Sequence, residues 1–311
     1  MGRVVNALLK QWNENSPLLG AAADGGAKGG CLTPVAMYVH ERPHYFREVV
    51  RALKRVVGIG NVCVLVVSLD SIQQEMIDMV LAVDFAPVRV LFHPVRDDLL
   101  RVQPVVAIKQ HWMWLQDQIW TRVPETKDLT GDVALLEEDH IVTPDYLQVL
   151  SRLIQLRRGN CSACWGVTVR WACMHDDDKD VRKVCRSHSV INTGIAFDRS
   201  TYQAIKASDF AAFSDGWDWS LFHLAQTGQM GDMMLGPAVS RIANIGRLGA
   251  TVTEHGDAHL QQQLDYNNIG DGGLSVPAES LWIHSEEQRQ YTPPSWEPLF
   301  MGGIGFVSSP G

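Results

Sequence analysis

The segment Ala134-Leu135-Leu136-Glu137-Glu138-Asp139-His140 decides how the rest of the chain is interpreted. Residues 133–136 form a continuous apolar run of strand length, which is typical of a strand buried on both faces of a sheet. Three acidic residues and a histidine follow without a spacer, and adjacent carboxylates repel each other unless a compensating charge lies close by. A divalent cation supplies that charge, because carboxylate oxygens are its natural ligands. Open α/β sheets also bind their ligands at the carboxyl ends of interior strands.

The same acidic residues have a second interpretation, a solvated turn before the helix that Pro144 begins. For acidic triplets in general, the solvated turn is the commoner structure. The buried-strand pattern directly before Glu137, together with polar residues elsewhere in the chain, favours a site over a turn.

Composition excludes several classes of protein. The chain has 311 residues, 46% of them hydrophobic and 20% charged, as in an ordinary globular protein. The net charge of −8, with no basic stripe to offset it, argues against a nucleic-acid partner. An anionic ligand stays possible, because arginine, lysine and metal can dominate one cleft. No apolar run reaches the roughly 18 to 20 residues of a membrane span, and the first residues lack the apolar region and cleavage site of a signal peptide, so we expect the chain as given to be soluble.

Alternating strand and helix patterns predict an α/β fold with a Rossmann-like, mostly parallel central sheet flanked by helices. The predicted strands cover residues 35–39, 61–67, 88–92, 132–139 and 165–173, and the predicted helices cover 45–57, 72–83, 103–123 and 146–157. We divide the chain into an amphipathic patch with a flexible linker (1–33), a catalytic domain (34–268) and a loosely structured tail (269–311).

The six cysteines are only partly informative. Cys161 and Cys164 form a single CxxC, so a four-cysteine zinc site is not expected, and a small local disulfide is allowed in an oxidising compartment. Cys63 lies in an apolar run and is predicted to be a buried thiol. Cys31, Cys173 and Cys185 stay unassigned.

Several polar groups lie where a ligand of the sheet would meet them. A loop at 40–43 follows the first strand, Asp70 follows the second, and Lys109 and His111 lie toward the amino end of the longest helix. Asp218 stands between two tryptophans, a pairing that suits a sugar, since its apolar face packs on rings while a hydroxyl meets the carboxylate. The other interpretation of that segment is core tryptophan beside a surface aspartate.

Motif absences narrow the chemistry. There is no GxGxxG after the first strand, no phosphate-binding P-loop and no GxSxG, so a nucleotide-sugar or nucleotidyl site fits better than a dehydrogenase. The small-residue turn at 192–194 is a place where a ligand can approach the backbone closely. The acidic run 176–178 is predicted to be a solvated loop.

The chain resembles the alpha-1,6-mannosyl-glycoprotein 2-beta-N-acetylglucosaminyltransferase (N-acetylglucosaminyltransferase II) family. The resemblance rests on Tyr38-Val-His-Glu-Arg-Pro43, Lys109-Gln-His-Trp-Met-Trp114, Leu136-Glu-Glu-Asp-His140, Asn192-Thr-Gly194 and Trp217-Asp-Trp219, in the family's order from about residue 35 to 245. It implies a GT-A fold, Mn²⁺, and inverting transfer of GlcNAc from UDP-GlcNAc in β1,2 linkage to a mannose of an N-glycan. It also implies a location in the Golgi lumen.

Carried over position by position, the resemblance implies a role for each motif. The residues that would line uracil and ribose are Val39, His40, Glu41, Arg42, Pro43 and Asp70. The residues of the helix start that would also touch the nucleotide are Ala107, Ile108, Lys109, Gln110 and His111. Asp139 would be the metal ligand, supported by Glu137 and Glu138, and Asp218 would be the general base. The pair Cys161–Cys164 matches a disulfide of the family.

One departure from the family concerns the metal. Where the family has a ligating histidine in Arg-Ile-Phe-His-Ala-Gly, this chain has Arg241-Ile-Ala-Asn244-Ile-Gly246, so Asn244 is the corresponding candidate ligand. A neutral amide is a weaker ligand than imidazole for a borderline metal.

Three other functions stay open beside the preferred one. The segment from Arg241 through Gly249 to His255-Gly256 resembles N-acetylglucosaminyltransferase I, which makes the α1,3-arm mannose the alternative acceptor. A sugar-nucleotide or glycan-binding module without turnover is a second alternative. It is suggested by Asn244, the weaker ligand that replaces the family's histidine. A nucleotidyltransferase is disfavoured, because no Gly-rich, basic triphosphate loop follows the first strand.

Overall fold

The computed structural model describes residues 2–20, 31–94, 104–173, 180–188, 190–246 and 282–283. The strands are β1 (Leu18–Leu19), β2 (Val35–Val39), β3 (Leu65–Leu69), β4 (Val88–Phe92), β5 (Asp132–Glu137), β6 (His140–Val142), β7 (Cys164–Thr168), β8 (Lys183–Ser187), β9 (Ile195–Asp198), β10 (Met233–Pro237), β11 (Ile242–Asn244) and β12 (Trp282–Ile283). The helices are α1 (Gly2–Asn15), α2 (Pro43–Lys54), α3 (Gln74–Leu81), α4 (Pro104–Thr121), α5 (Tyr146–Asn160), α6 (Arg199–Ala207) and α7 (Trp217–Gln226).

The described strands form a large sheet in the order β1-β4-β3-β2-β5-β9-β7-β10-β8-β12, and β6 and β11 form a separate pair. Within the large sheet β4, β3, β2 and β5 are parallel neighbours, while β9 runs antiparallel between β5 and β7. The four parallel strands are buried on both faces, as their continuous apolar sequences require. The predicted α/β class with a parallel central sheet is therefore confirmed.

Three predicted strands differ from the structure at their ends. The strand predicted at 165–173 is Cys164–Thr168, because the backbone leaves the sheet after Thr168. The strand predicted at 61–67 is Leu65–Leu69, because Ile59–Asn61 forms a 3₁₀ turn that delays the extended backbone. The strand predicted at 132–139 ends at Glu137, and a two-residue turn leads into β6. Glu138 and Asp139 therefore lie in a turn at the strand's carboxyl end.

Helices cover both faces of the sheet and build two hydrophobic cores. Alternate residues of β2 divide between them: Val35, Met37 and Val39 pack with α2, α3 and α5, while Ala36 and Tyr38 pack with α4, α6 and α7. In the second core the rings of Trp112 (α4) and Trp217 (α7) stack with their centroids 5.3 Å apart. This contact fixes the first turn of α7, which carries Asp218, against α4.

The segment of residues 2–20 is attached to the sheet. Helix α1 lies against β4, where the Asn13 side chain exchanges hydrogen bonds with the backbone of Phe92 and the Trp12 indole donates to the Val90 carbonyl at 3.0 Å. Strand β1 then pairs antiparallel with β4. At the other end of the chain, β12 pairs with β8 inside the segment predicted as a tail. The division into residues 1–33, 34–268 and 269–311 stays a prediction.

All six cysteines are paired, and one pairing corrects the sequence prediction. Cys63 is not a free thiol, because it forms a disulfide with Cys31. The two segments lie side by side, since the Leu32 amide donates to the Asn61 carbonyl and the Cys63 amide donates to the Leu32 carbonyl. The local Cys161–Cys164 disulfide is confirmed, and Cys173 pairs with Cys185. Across the described residues, no helix combines the length and hydropathy that crossing a membrane requires.

The disulfides Cys31–Cys63 and Cys161–Cys164 close loops of different length and therefore differ in their effect on stability. Cys31–Cys63 spans 32 residues and Cys161–Cys164 spans 3, so opening the first releases more unfolded-chain entropy. We expect Cys31→Ala/Cys63→Ala to lower the free energy of unfolding by about 3 to 4 kcal/mol and Cys161→Ala/Cys164→Ala by about 2 kcal/mol. Denaturant unfolding of both double variants checks this order, and the reverse order would contradict it.

Candidate active site

The loops after β2, β3 and β5 meet at one edge of the sheet, because parallel strands all end on the same side. Glu138 accepts hydrogen bonds from the His40 amide and from Nε of Arg42. Arg42 Nη2 also lies 2.8 Å from Asp139 Oδ2. His40 Nδ1 lies 2.8 Å from Asp70 Oδ1, so the structure brings these predicted residues into one connected group.

Glu137, Asp139 and His140 form a possible metal-binding cluster. One ligand atom from each lies within 4.8 Å of the others. The Glu137 amide donates to His140 Nδ1 at 3.1 Å, which places the proton of the neutral imidazole on Nε2, 3.8 Å from Glu137 Oε1. Burial lowers the pKa of His140 to about 4, so the ring is neutral. The oxygens of Glu137 and Asp139 are therefore the atoms of this cluster that are available to a cation, and their ligand role stays a prediction.

The surroundings of Asp139 fit a cation. Its Oδ1 is buried and has no hydrogen-bond partner within the described parts of the chain, which is costly for a carboxylate. Burial, reinforced by the charge of Asp139, raises the pKa of Glu137. A Cβ at Gly246 would lie 2.2 Å from Asp139 Oδ2, so a glycine is needed where the backbone passes this carboxylate. Paired carboxylates of this kind suit Mn²⁺ or Mg²⁺.

Asn244 lies beside this cluster. It pairs with His140 across β11 and β6, and the next amide, of Ile245, donates to the Asp139 carbonyl at 2.9 Å. Its side-chain oxygen accepts a hydrogen bond from the Gly246 amide at 2.8 Å, so one of the two lone pairs of that oxygen is already used within the turn. The ligand role of Asn244 stays a prediction.

Lys109 and His111 turn to different sides of α4. His111 Nε2 lies 2.7 Å from Ser68 Oγ, and Nδ1 lies 3.6 Å from Asp70 Oδ2. Burial opposes ionisation of Asp70, but hydrogen bonds with His111 and His40 outweigh it and hold the pKa of the Asp70 carboxyl well below its usual range. Lys109 instead donates to the Phe213 carbonyl at 2.7 Å. Of this pair, His111 is the one joined to the other candidate residues.

The other predicted nucleotide-contacting residues line the same edge or the first turns of α4. Val39 ends β2 and is buried, Glu41 is exposed, and Pro43 begins α2. Ala107, Ile108 and Gln110 are half-buried in α4. Their contact with a nucleotide stays a prediction.

Asp218 lies in the first turn of α7, and its Oδ2 accepts a hydrogen bond from the Asn192 amide at 2.8 Å. The two flanking tryptophans separate: Trp217 is a buried core residue and Trp219 is 49% exposed. The core interpretation therefore holds for Trp217, whereas contact of a sugar with this segment stays a prediction, for which Trp219 is the accessible ring of the two.

Tyr38 and Arg170 are residues at the site that sequence reasoning left without a role. Tyr38 pairs with Glu137 in the β2–β5 register, and burial raises its pKa, with further contributions from the charges of Glu137, Asp218 and Asp139. Tyr38 therefore lies between the carboxylate cluster and Asp218. Arg170 Nη1 donates to Thr193 Oγ1 at 3.0 Å. Tyr38 begins one of the family motifs, whereas no pattern in the sequence indicated Arg170.

The turn at 192–194 serves packing. Gly194 has φ 61°, and a Cβ there would lie 2.7 Å from side-chain atoms of both Ile242 and Val169. Protein side chains, not a ligand, occupy the space beside this glycine. The predicted acidic loop at 176–178 and the segment at 255–256 lie outside the described residues.

A cavity of about 620 Å³ lies elsewhere, between α1 and α4, with Arg89, Trp114 and Arg122 in its lining. It contains none of the carboxylates described above. The connected charges at the end of β5, rather than cavity size, locate the candidate site.

A family model and several named relatives among known proteins match this chain. The family model described as N-acetylglucosaminyltransferase II (MGAT2) matches residues 9–103 and 97–292. Two relatives are named alpha-1,6-mannosyl-glycoprotein 2-beta-N-acetylglucosaminyltransferase. The Rattus norvegicus protein is 28% identical, and the match covers 70% of this chain and 59% of the rat protein. The Arabidopsis thaliana protein is 25% identical, and the match covers 60% of this chain and 52% of the plant protein.

A solved structure of GalNAc-T7 with UDP, GalNAc and Mn²⁺ is also similar, with a TM-score of 0.48 and 12% identity over 71% of this chain and 44% of that one. The chain spans between half and three fifths of the length of the Rattus norvegicus and Arabidopsis thaliana relatives. Because the family model covers most of the sequence, the chain belongs to the N-acetylglucosaminyltransferase II family.

Proposed function

We propose that the protein is an inverting, metal-dependent glycosyltransferase that moves GlcNAc from UDP-GlcNAc in β1,2 linkage onto a mannose of an N-glycan, with the α1,6-arm mannose favoured. The observation that carries the proposal is the arrangement of acids: Glu137 and Asp139 form a metal-type cluster, while Asp218 stands apart on α7. A displacement at a sugar carbon needs a charge-neutralising site for the leaving group and a separate base for the incoming hydroxyl.

On the donor side, Glu137 and Asp139 would hold Mn²⁺, which when bound neutralises the charge of the UDP diphosphate. Arg42 bridges Glu138 and Asp139 and adds positive charge to the same edge. The linked side chains of His40, Asp70 and His111 offer donors and acceptors for the uracil and ribose.

On the acceptor side, the Asp218 carboxylate removes the proton from a mannose hydroxyl. The oxygen of that hydroxyl attacks the anomeric carbon of GlcNAc at the same time. The carbon–oxygen bond to UDP breaks, and its electron pair leaves with the diphosphate. Attack from the face opposite UDP inverts the configuration at that carbon, which requires one base only. The half-exposed ring of Trp219 supplies an apolar face for the acceptor sugar.

Two alternatives each have an observation behind them. Transfer to the α1,3-arm mannose is supported by the resemblance of the segment from Arg241 to Gly256 to N-acetylglucosaminyltransferase I. A binding module without turnover is supported by Arg42, which already neutralises Asp139 without a metal, and by Asn244 in place of a histidine.

The general base is tested by Asp218→Asn. We expect kcat for GlcNAc transfer to fall by about 10²- to 10⁴-fold, because the amide cannot accept the hydroxyl proton. The affinity for UDP with Mn²⁺ should stay within about twofold, since Asp218 lies outside the carboxylate cluster. Asp215→Asn, an exposed acid three residues earlier, is the matched control. Transfer at the wild-type rate by Asp218→Asn would contradict the role.

The metal site is tested by Asp139→Ala. We expect calorimetry to show that UDP binding no longer depends on Mn²⁺, because the buried Oδ1 that would ligate the ion is gone. Asp84→Ala, which removes an exposed acid on the surface, should leave Mn²⁺-dependent binding intact. Undiminished Mn²⁺ dependence in Asp139→Ala would remove the metal assignment.

The acceptor is tested by a transfer assay with UDP-GlcNAc and Mn²⁺ against N-glycans that differ in which mannose arm is free. We expect β1,2-linked GlcNAc on the α1,6-arm mannose, identified by linkage analysis of the product. Transfer confined to the α1,3 arm would select the alternative acceptor. UDP binding without any transfer would leave the binding module.

A further inference from the structure

We propose that Arg170, Thr193 and Asn192 form a hydrogen-bonded relay that orients the Asp218 carboxylate for catalysis. The three side chains are positioning residues, because they act through Asp218 and not on the substrate. The inference rests on the proposed function, in which Asp218 is the general base.

The relay is continuous from one end to the other. Arg170 Nη1 donates to Thr193 Oγ1 at 3.0 Å, and Thr193 Oγ1 donates to Asn192 Oδ1 at 3.2 Å. Asn192 Nδ2 then donates to Asp218 Oδ2 at 2.8 Å. Three successive hydrogen bonds therefore connect a guanidinium to the candidate base.

The direction of the relay is fixed at both ends. A guanidinium has only donors and an ionised carboxylate has only acceptors. Thr193 Oγ1 must accept from Arg170, so its single proton is available for Asn192 Oδ1. The Asn192 amide is then held with its NH₂ toward Asp218, which is the orientation that a carboxylate requires. The Thr193 hydroxyl decides which end of the amide faces the base.

The backbone holds the relay in a rigid frame. Thr193 is 2% exposed, and its carbonyl accepts from Thr168 Oγ1 at 2.8 Å. The Arg170 amide donates to the same Thr168 hydroxyl at 3.0 Å, so the first two members of the relay are anchored on one buried residue of β7. The left-handed backbone at Gly194 then turns the chain into β9.

This orientation has a direct consequence for the reaction. A base must lie within hydrogen-bond reach of the proton that it removes, and small misplacements of catalytic groups cost large factors in rate. Without the Thr193 hydroxyl the Asn192 side chain loses the hydrogen bond that holds its amide oxygen, so the amide is free to turn away from the carboxylate. The carboxylate then loses the donor that fixes its position.

The test uses two substitutions at one position. Thr193→Val keeps the shape and removes the hydroxyl, whereas Thr193→Ser keeps the hydroxyl. We expect Thr193→Val to lower kcat by about 10- to 100-fold with KM for UDP-GlcNAc changed by less than about twofold, and Thr193→Ser to restore most of kcat. Thr126→Val, the same change at a buried threonine whose hydroxyl bonds to the Ile119 carbonyl, is the control and should leave kcat unchanged.

The split between kcat and KM separates positioning from packing. In Thr193→Val the kcat of the folded enzyme should fall while KM for UDP-GlcNAc and the affinity for UDP with Mn²⁺ stay within about twofold, because only the Asp218 carboxylate has lost its fixed position. A merely structural role for Thr193 would lower the amount of folded protein and leave kcat per folded molecule in place. Equal kcat values for Thr193→Val and Thr193→Ser would overturn the relay.

A second measurement separates failure of the relay from failure of the proposed function. If the wild-type chain transfers no sugar, the transferase proposal fails, and the relay is judged by thermal unfolding of Thr193→Val, Asp218→Ala and the double variant. Because both single changes break the same chain of hydrogen bonds, the relay predicts that the double variant melts at almost the same temperature as the less stable single variant. Fully additive shifts in melting temperature would overturn it.

Discussion

Mutual repulsion among the acids that follow β5 is the constraint on which the site depends. Glu138 and Asp139 are buried in a two-residue turn, and their charge is offset by Arg42, which arrives from the loop after the neighbouring strand β2. The single guanidinium of Arg42 does not bond to every carboxylate oxygen, since Asp139 Oδ1 has no hydrogen-bond partner among the described residues. A second positive charge at that oxygen would complete the charge balance, and this is the physical reason for the cation that we propose there.

The sheet connects this donor side to the acceptor side. Tyr38 and Glu137 are neighbours in the β2–β5 register, and the ring of Tyr38 packs edge-on against Trp217, whose centroid lies 6.4 Å away. Trp217 in turn stacks on Trp112 and fixes the turn that carries Asp218. The core aromatic residues therefore set the distance between the metal-type cluster and the candidate base. Asn192, Thr193 and Arg170 add the orientation of that base.

The fold was largely predictable because the parallel strands are buried on both faces, which leaves unmistakable apolar runs such as Val35–Val39. The ends of strands were less predictable, since the turn after Glu137 depends on contacts of Glu138 with distant residues of the chain. The Cys31–Cys63 pairing was missed for the same reason: an apolar context around Cys63 says nothing about which segment lies beside it. Asp139 was singled out by the buried strand before it and Asp218 by its flanking tryptophans, and the family motifs then implied their roles. Arg170, in contrast, carries no signal until Thr193 is seen within hydrogen-bond distance.

We propose above that the buried oxygen of Asp139 binds a metal ion that the nucleotide shares. Anomalous scattering from crystals grown with UDP and Mn²⁺, recorded near the manganese absorption edge, would locate that ion. We expect a single strong peak in contact with Asp139 Oδ1 and the Glu137 carboxylate, next to the diphosphate. A bound UDP with no peak at Asp139, and Arg42 still paired to both Glu138 and Asp139 as the only positive charge there, would contradict it.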